Sequence, residues 1–274
     1  MKQILITGAN SGLGLASAKM LAQDGHHIIM LCRDQNRGST ALLEVQEQGS
    51  AELLVCDLSD MENIHALATT LQDRKIDVLL HNAGVVLTTR HVTPQGFEAT
   101  VAINHLAVYL LTYILWDCLQ EGARIVVVSS DAHKAAKLQF ETWMADKKFS
   151  TIQQYGVSKM CNILFSSELA RRAKPFGITV NAVHPGGVNT GLGDRNEVWY
   201  GFLGRWIKKL LMSPKKGADT QVWLATSPDM EGKTGGYYYK RKPRSMSKQA
   251  ASADLALDLW ERSAVLLGID PNWV

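Results

Sequence analysis

A glycine-rich turn joins an apolar run to a helical segment at the start of the chain. The apolar run is Gln3–Ile6, the turn is Thr7–Gly14 and the segment that follows is Leu15–Ala22. A short apolar run bounded by turn residues is typical of a buried parallel strand, and the segment after the turn has the composition and spacing of a helix. Such a beginning favours an α/β fold, because the helix must cover one face of a parallel sheet.

The same alternation of strand and helix continues along the rest of the chain. Further apolar runs suited to strands lie at residues 27–32, 51–56, 77–81, 124–129, 178–183 and 236–239. Helical segments between them include residues 60–72, 95–119 and 152–173. Regular alternation implies right-handed crossovers, so we predict one Rossmann-type, doubly wound α/β domain over residues 1–274. Its parallel sheet should have seven strands with helices on both faces, and a ligand crevice at the carboxyl ends of the strands.

Composition agrees with an ordinary globular chain and narrows its partners. Of the 274 residues, 46% are apolar and 20% are charged, and 29 Lys and Arg against 26 Asp and Glu give a net charge of +3. That balance is too small to argue for nucleic acid. No stretch reaches the roughly 18 apolar residues of a membrane span, and there is no room for a signal peptide before the first strand. We therefore expect no membrane span and a cytoplasmic location.

The cysteines and histidines give no sign of a metal site. Cys32, Cys56, Cys118 and Cys161 are scattered without a Cys-x-x-Cys pair, and the eight histidines lack zinc spacing. Three of the cysteines lie in apolar strand or helix contexts. Reduced thiols in the core, and no metal, are therefore the expectation.

The glycine-rich turn is suited to binding a phosphate. Glycine lets the backbone approach the ligand closely, and the free N–H groups and dipole of the following helix stabilise its negative charge. The spacing is Gly-x-x-x-Gly-x-Gly, and glycine-rich turns also occur as plain strand–helix connectors. The residues expected to bind a dinucleotide here are Gly8, Asn10, Ser11, Gly12, Leu13 and Gly14.

Residues at the end of the second strand indicate which dinucleotide is bound. An acidic side chain there would accept hydrogen bonds from the adenosine ribose and favour NAD. That position is occupied by Cys32, followed by Arg33 and, shortly after, Arg37, whose guanidinium groups suit a 2′-phosphate. NADP(H) is therefore favoured. The alternatives are that Asp34 takes the acidic position, or that the arginines are simply solvated.

Two more strand ends are candidates for binding the adenosine half. Asp57, which precedes Leu58, can accept from the adenine amino group or can simply cap the next helix. Asn82, Ala83 and Gly84 close the fourth strand with small side chains that leave room for a ligand. The alternative for these three residues is a tight turn.

A tyrosine and a lysine four residues apart form a candidate pair for proton transfer. Tyr155 and Lys159 share one face of the predicted helix. A free phenol has a pKa of about 10, and an ammonium group beside it favours the phenolate and lowers that pKa. The same spacing recurs at Tyr238 and Lys242, but that copy begins in a predicted strand and ends beside a proline. It therefore lacks the helical face that the pair requires.

Two further polar residues complete a possible reacting centre. Ser130, at the end of the fifth strand, can donate to a carbonyl oxygen that gains negative charge on hydride transfer. Asn104 is a poor helix former inside a predicted helix, and its amide can hold a water molecule linked to Lys159. Taken singly, Ser129 and Ser130 can be turn residues and Asn104 a solvated position. Their order, together with Tyr155, favours a hydride-transfer site.

With these residues the chain resembles the short-chain dehydrogenase/reductase family from the first strand to the last helix. The motifs that carry the resemblance are Thr7–Gly14, Asn82–Gly84, Asn104, Ser130, Tyr155 with Lys159, and Pro185–Gly186. The resemblance implies that Tyr155 is the general acid/base and that Lys159 anchors the ribose and modifies the tyrosine pKa. It implies that Ser130, rather than Ser129, orients the substrate and that Asn104 holds a water molecule in a proton relay.

The resemblance also extends to the loop after the sixth strand and to one branch of the family. The residues that it places at the nicotinamide are Pro185, Gly186, Val188 and Thr190. Leu31–Asp34, the insert before Tyr155 and Lys240–Pro243 resemble the retinol-dehydrogenase-like branch, which also includes protochlorophyllide reductases and WW-domain oxidoreductases. Membership of that branch implies NADP dependence.

The chain departs from the family pattern in three places. His81 stands where the family usually has the first Asn of Asn-Asn-Ala-Gly, and Gly187 follows the Pro-Gly pair. The substitution at His81 is mild, because a histidine at a strand end can still form hydrogen bonds. The hydrophobic N-terminal anchor of microsomal retinol dehydrogenases is missing, which argues against retinoid turnover at a membrane.

Two segments interrupt the alternation of strands and helices. Residues 189–213 are amphipathic and aromatic, which predicts a mobile lid whose apolar face suits a bulky apolar aldehyde or ketone. This segment can instead be a core helix, or its basic residues can make a weak contact with an anionic membrane surface. Those basic residues are Arg205, Lys208, Lys209, Lys215 and Lys216. The insert at 134–150 lies near helices that many relatives use to dimerise, so a monomer and a homodimer both stay open.

These observations together predict an enzyme. We expect an NADP(H)-dependent oxidoreductase that interconverts an apolar aldehyde or ketone and its alcohol. A reductase of a conjugated C=C bond would use the same Tyr155 and Lys159, and a protein that senses NADPH without catalysis would need only the cofactor site. The intact set of Ser130, Tyr155 and Lys159 argues against the sensor.

Overall fold

One large sheet forms the centre of the molecule. The computed structural model describes residues 1–144, 149–187 and 212–274. The strands are β1 (Gln3–Thr7), β2 (His27–Cys32), β3 (Ala51–Val55), β4 (Ile76–His81), β5 (Leu119–Val128), β6 (Thr179–Val183), β7 (Tyr237–Tyr239) and β8 (Lys242–Pro243). Their order in the sheet is β3-β2-β1-β4-β5-β6-β7-β8, and all pairs from β3 to β7 are parallel. The order reverses between β1 and β4, which places the crevice of a doubly wound fold at their carboxyl ends.

Within the described residues the sheet has eight strands: seven are parallel, as predicted, and the eighth was not predicted. The last strand, β8, pairs antiparallel with β7, and Tyr238 lies opposite Pro243. The turn between them consists of Lys240 and Arg241, whose φ angles are 50° and 57°. Such a left-handed turn usually contains glycine or asparagine. This turn contains neither, so the sequence does not predict the hairpin. Tyr238 and Lys242 thus lie on opposite arms of a hairpin, which confirms that they form no helical pair.

Helices cover both faces of the sheet. They are α1 (Gly12–Gln23), α2 (Gln35–Gln46), α3 (Met61–Leu71), α4 (Ala99–Val101), α5 (Ala107–Ile114), α6 (Thr151–Ala173), α7 (Pro214–Thr226) and α8 (Ala253–Leu267). One core contains α1, α2 and α7 together with Ile4 and Ile6 of β1. The other contains α3, α5, α6 and α8 together with Leu5. Successive residues of β1 serve opposite cores because side chains alternate along a strand.

The helix predicted at 95–119 is shorter and is interrupted. It begins at Ala99 and ends at Ile114. Glu98 is its N-cap, and the carboxylate of Glu98 accepts two main-chain N–H groups. Between α4 and α5 lies a π-helical turn, Ala102–Leu106. Such π turns are rare and occur frequently at functional sites. This turn contains Asn104, one of the predicted site residues.

The two predicted interruptions have different outcomes. In the insert at 134–150, Leu138 and Trp143 are only 3% and 7% exposed and pack into the same core as α6. Its residues 134–144 are therefore held against the domain by apolar side chains. Residues 189–211, which make up most of the predicted lid, lie outside the described residues. The lid therefore stays a prediction.

In the described ranges, no helix is long and apolar enough to cross a membrane.

All four cysteines are free and buried, as predicted. Burial raises the pKa of the Cys32 thiol to about 11 and that of the Cys56 thiol to about 12. Since the thiolate is the reactive form, these are inert core residues.

Candidate active site

The glycine-rich turn is packed against the end of β4. A Cβ atom built on Gly14 would overlap the carbonyl oxygen of Gly8 and the Nδ2 atom of Asn82. A side chain at Gly14 would therefore push α1 away from the turn. Gly8 and Gly12 have φ angles of 66° and 55°, in the left-handed region that favours glycine. All three glycines of the motif are thus required by the path of the backbone.

The first turn of α1 is open to an anion. The Ser11 hydroxyl makes no capping hydrogen bond, although Ser11 occupies the N-cap position of α1. By contrast, α2, α3, α6, α7 and α8 each begin with a side chain that accepts a main-chain N–H. The N–H groups at Gly12, Leu13 and Gly14 therefore have no side-chain cap and lie beside the crevice. This arrangement fits the pyrophosphate of a dinucleotide.

Asn82, Ala83 and Gly84 form the segment after β4 that supports this loop. The Nδ2 group of Asn82 donates to the main-chain oxygen of Thr7 at 2.9 Å. The Thr7 hydroxyl accepts the main-chain N–H groups of Asn82 and Ala83 at 3.0 and 2.9 Å. A Cβ atom built on Gly84 would lie 3.2 Å from the Nζ atom of Lys159. These contacts hold the segment in place, and its contact with adenosine stays a prediction.

The end of β2 presents two exposed arginines. Cys32 is the last residue of the strand, and Arg33 and Arg37 are both exposed to solvent. Asp34 is the N-cap of α2, and its Oδ1 atom accepts the main-chain N–H of Arg37 at 2.9 Å. One oxygen of the Asp34 carboxylate is therefore committed to the helix, which leaves the two guanidinium groups as the more available ligands.

Asp57 shapes a turn and does not cap the following helix. Its Oδ1 atom accepts the main-chain N–H and the hydroxyl of Ser59 at 2.9 and 2.8 Å. Helix α3 begins two residues later, at Met61, with Asp60 as its N-cap, so the alternative of Asp57 as a helix cap was wrong. Leu58 is partly buried against the core. The contact of Asp57 and Leu58 with adenine stays a prediction.

The two serines after β5 have different partners. The Ser129 hydroxyl is buried and donates to the main-chain oxygen of Lys159 at 2.7 Å. The Ser130 hydroxyl accepts the main-chain N–H of Ala132 at 3.2 Å, and its interaction with the Tyr155 phenol lowers the pKa of that phenol. Ser130 is therefore the serine that meets the tyrosine, which supports its choice over Ser129.

Lys159 lies one helical turn beyond Tyr155 and points into the interior. The lysine is only 3% exposed, and its Nζ atom donates to the main-chain oxygen of Val128 at 2.9 Å. Asn162 donates to the same oxygen at 3.1 Å. The Nζ atom lies 5.7 Å from the centre of the Tyr155 ring. The two residues thus share one helix face, as their spacing predicts.

One expectation about the ionisation of this pair was wrong. Burial lowers the pKa of Lys159 to about 8. Burial also raises the pKa of the Tyr155 phenol, and the hydrogen bond from Ser130 offsets only part of that rise. With the protein groups alone, the phenol is therefore a weaker acid than usual, because burial removes the water that would solvate the phenolate.

The side chain of Asn104 is fully engaged with the main chain and one hydroxyl. Its Oδ1 atom accepts the N–H of Val85 at 2.7 Å. Its Nδ2 group donates to the oxygen of Val85 and to the hydroxyl of Ser158, both at 2.9 Å. Asn104 therefore fixes the segment after Gly84 beside Lys159. Both amide protons are already donated, and its role as a water holder stays a prediction.

His81 forms the hydrogen bond that was expected of it. Its Nε2 atom lies 2.9 Å from the hydroxyl oxygen of Thr112. That hydroxyl gives its own proton to the main-chain oxygen of Val108 at 2.7 Å, so the imidazole N–H is the donor to Thr112. Burial lowers the pKa of His81 to about 3. His81 is thus a neutral residue that connects β4 to α5.

The loop after β6 lies at the same edge of the sheet as these residues. Pro185 and Gly186 follow β6, and Gly186 has a φ angle of 88°. A Cβ atom built on Gly186 would lie 3.2 Å from the ring of Tyr239, so this turn is packed closely. Val188 and Thr190 lie outside the described residues.

Sequence reasoning missed a polar cluster around the turn after Ser130. The Asp131 carboxylate accepts the Nε–H of Arg244 at 3.0 Å and the hydroxyl of Tyr237 at 3.1 Å. Burial by itself raises the pKa of Asp131, but the hydrogen bond from Arg244, the charge of His184 and the bond from Tyr237 hold it well below its usual range. The sequence signal for this cluster is weak, because the hydrogen-bonding partners are 113 and 106 residues away along the chain.

Several known proteins have a similar sequence or fold. A family model for short chain dehydrogenases matches residues 2–200. Retinol dehydrogenase 12 of Mus musculus is 36% identical over 275 residues, which cover 98% of this chain and 87% of that protein. A candidate daunorubicin C-13 ketoreductase of Streptomyces sp. strain C5 is 38% identical over 274 residues, covering 97% of this chain and 93% of that protein. The crystal structure of an uncharacterised protein from Mycobacterium paratuberculosis aligns with a TM-score of 0.81 and 29% identity, over 98% of this chain and 94% of that one.

The fold, the site and these similarities define an oxidoreductase that acts between a carbonyl group and an alcohol. The chain belongs to the short-chain dehydrogenase family, in its retinol-dehydrogenase-like branch. The resemblance that the motifs predicted is thereby confirmed.

Proposed function

We propose that this chain is an NADP(H)-dependent oxidoreductase that interconverts an apolar aldehyde or ketone and its alcohol, with Tyr155 as the general acid/base. The observation that carries the proposal is the grouping of three side chains at the carboxyl end of β5. The Ser130 hydroxyl interacts with the Tyr155 phenol and lowers its pKa, and the Lys159 ammonium is buried one helical turn away. A phenol in this setting is suited to exchange a proton with an oxygen whose charge changes during the reaction.

Each of the three groups has a distinct part in the proposed reaction. In reduction Tyr155 donates its proton to the carbonyl oxygen, and in oxidation its phenolate accepts the proton of the alcohol. A nicotinamide cofactor, when bound, supplies or accepts the hydride. The oxygen of Ser130 already accepts the Ala132 N–H, so its proton is free to point at the reacting oxygens. Lys159, with a pKa lowered to about 8 by burial, is still charged at neutral pH and favours the phenolate as the proton leaves.

The residues proposed to hold the cofactor lie at the carboxyl ends of β1, β2, β3, β4 and β6. The uncapped first turn of α1 suits the pyrophosphate. Arg37 lies in the first turn of α2, where a positive charge is repelled by the positive end of the helix dipole. A 2′-phosphate bound between Arg33 and Arg37 would neutralise that charge. Because Asp34 already caps α2, the arrangement supports NADP(H) rather than NAD.

The proposed substrate class rests on the relatives and on the composition of the segment after β6. The relatives are named for an alcohol, retinol, and for a ketone, C-13 of daunorubicin. What they share is a reacting carbonyl or alcohol carbon on a large molecule. The aromatic and aliphatic residues of the 189–213 segment favour an apolar substrate.

The first experiment compares Tyr155→Phe with a matched control, Tyr238→Phe. Both substitutions remove one hydroxyl, but Tyr238 lies in the hairpin and packs against the core that contains α1 and α7. We would follow the oxidation of NADPH and NADH with a panel of apolar aldehydes, ketones and enones. The wild-type protein and Tyr238→Phe should turn over with NADPH, and Tyr155→Phe should lose roughly a hundred- to ten-thousandfold in kcat while still binding NADPH.

The outcomes distinguish the alternatives. Turnover retained in Tyr155→Phe would overturn its role as acid/base. Alcohol as the product supports carbonyl reduction, whereas a saturated ketone or aldehyde from an enone supports C=C reduction. If the wild-type protein binds NADPH and turns over no member of the panel, the interpretation as a non-catalytic NADPH sensor gains support.

A further inference from the structure

The turn that carries Ser130 is clasped by a distant part of the chain. Residues 131–135 form a short 3-10 helix directly after Ser130. The segment 244–249, which precedes α8, contacts this turn at three successive points. Arg244 pairs with Asp131, the main-chain N–H of Ser247 donates to a ring nitrogen of His133, and the Gln249 amide bonds both main-chain groups of Leu138. We call this segment the C-terminal clasp.

His133 is the link between the clasp and Ser130. It is fully buried, and its Nδ1 atom lies 2.6 Å from the main-chain oxygen of Ser130. Its Nε2 atom lies 3.2 Å from the main-chain nitrogen of Ser247, which is a donor. Nε2 must therefore accept, and Nδ1 must carry the proton that is donated to Ser130. The hydrogen bonds thus define a neutral imidazole with one tautomer.

We propose that His133 is a positioning residue, which holds the backbone of Ser130 so that its hydroxyl meets Tyr155 and the substrate oxygen. This inference rests on the proposed function and goes beyond it, because it assigns a role to a residue that does not touch the reacting groups. Ser130 has a partly exposed side chain on a short turn, and such a hydroxyl is oriented only as well as its backbone is held. The hydrogen bond from His133 to the Ser130 carbonyl supplies that restraint.

The groups around His133 determine the pH at which the proposal should be tested. Burial lowers the pKa of His133, the Ser130 carbonyl and Asp131 raise it, and Lys134 and Arg244 lower it. The rings of His184 and Tyr237 also lie close by. A proton on Nε2 would face the Ser247 N–H, so the acid form would lose the clasp. The experiment therefore belongs at neutral pH or above.

Two substitutions separate the two hydrogen bonds of the imidazole. Asn places its amide near the position of Nδ1, so His133→Asn keeps a donor for the Ser130 carbonyl. Gln places its amide near the position of Nε2, so His133→Gln keeps an acceptor for Ser247. Both remove the ring from its contact with Tyr237, which lies edge-on with centres 5.4 Å apart. The two variants are therefore matched in lost packing and differ in which partner they retain.

The proposal predicts that the variants differ in kcat. We expect His133→Gln to lose roughly ten- to a hundredfold in kcat, with the KM for NADPH unchanged, and His133→Asn to stay within a few-fold of the wild type. In a Ser130→Ala background, His133→Gln should have no further effect on kcat. Two results would overturn the proposal and make His133 only a structural residue. The first is that His133→Asn and His133→Gln lose the same factor in kcat and that this loss follows the decrease in their melting temperatures. The second is that His133→Gln still lowers kcat in the Ser130→Ala background.

A second readout does not depend on turnover. In protein labelled at the Cζ carbon of tyrosine, the NMR signal of Tyr155 can be identified from its absence in Tyr155→Phe. At neutral pH, His133→Gln should move this signal to its position in Ser130→Ala, and His133→Asn should leave it at the wild-type position. An unmoved signal in His133→Gln would overturn the proposal even if the wild-type enzyme is active. A moved signal would support it even if no substrate in the panel is turned over and the proposed function fails.

Discussion

Gly156, the neighbour of Tyr155 in α6, packs against the carbonyl oxygen of Ala132 in the turn that follows Ser130. A Cβ atom built on Gly156 would lie 2.8 Å from that oxygen and 2.7 Å from the methyl group of Ala136. Contacts this short do not occur in real structures, so the helix and the turn would have to separate. The glycine therefore allows the backbone beside Tyr155 to approach the backbone beside Ser130.

We expect Gly156→Ala to destabilise the protein and to slow it. Alanine in a helix interior is more favourable than glycine by about 1 kcal/mol, but overpacking a rigid contact costs about 1–3 kcal/mol. The free energy of unfolding should therefore fall, and kcat should decrease roughly tenfold or more as Tyr155 and Ser130 move apart. Denaturant unfolding and steady-state kinetics measure the two effects.

Gly38→Ala in α2 is the matched control. A Cβ atom there would lie 2.9 Å from the methyl groups of Leu53, which are the flexible end of a side chain. We expect a change in the free energy of unfolding of less than about 1 kcal/mol and no change in kcat. A Gly156→Ala protein that is more stable than the wild type would show that the turn yields to the methyl group.

The preference for NADPH should depend on Arg33 and Arg37. A hydrogen bond to a charged group contributes about 1.5–3 kcal/mol, so each Arg→Ala substitution should raise the KM for NADPH by roughly ten- to a hundredfold and leave that for NADH unchanged. Asp34→Asn distinguishes the alternative, because asparagine also caps helices and would preserve α2. A loss of NADH affinity in Asp34→Asn, with NADPH unaffected by the arginines, would show that Asp34 occupies the acidic position.

The sequence predicts best the elements whose signals lie within them. The pattern predicts a strand at 27–32, and β2 has those bounds; it predicts a helix at 152–173, and α6 begins one residue earlier, capped by Ser150. The helix predicted at 95–119 was less accurate. Its last predicted residue, Leu119, is the first residue of β5, where the pairing with β4 shifts register. Hydrophobic periodicity does not record such an irregularity, because both elements are apolar there.

In the candidate site, the groups that we propose to react have a sequence pattern, whereas the residues that hold them have none. Ser130, Tyr155 and Lys159 are recognisable because the chemistry requires those residue types at strand ends and on one helix face. His133 has no such pattern, since its second partner, Ser247, is 114 residues away and approaches only in the folded chain. Supporting residues of this kind depend on tertiary contacts, which a single sequence does not display.

The ion pair between Arg244 and Asp131 should matter for activity. We expect Arg244→Lys to lower kcat roughly tenfold, because lysine keeps the charge but cannot form the forked contact that holds the turn after Ser130. Arg241→Lys is the control, because Arg241 forms a comparable forked pair with Asp219 of α7 and does not contact that turn. Equal kcat values for the two variants would contradict a role of the Arg244 pair in positioning Ser130.

His81 should make the stability of the protein depend on pH in the acid range. Burial lowers its pKa from 6.5 in the unfolded chain to about 3 in the fold, so the unfolded state binds one more proton between these values. Stability from the neutral imidazole is therefore present above pH 6.5 and is lost as the pH falls towards 3. Each such proton changes the free energy of unfolding by about 1.4 kcal/mol per pH unit.

The test is His81→Asn, which introduces the residue that the family usually has at this position. Whatever the substitution does to stability at pH 8, the slope between pH 6 and pH 4 should decrease by about 1.4 kcal/mol per pH unit. His105 is buried in the same way, with its pKa lowered to about 3, so a slope of similar size should remain in the variant. Urea unfolding at a series of pH values measures the slopes, and the two curves should run parallel above pH 7. Equal slopes below pH 6 would mean that His81 takes up its proton in the folded state. That proton would have to bind Nδ1, because Nε2 already carries the proton that is donated to Thr112.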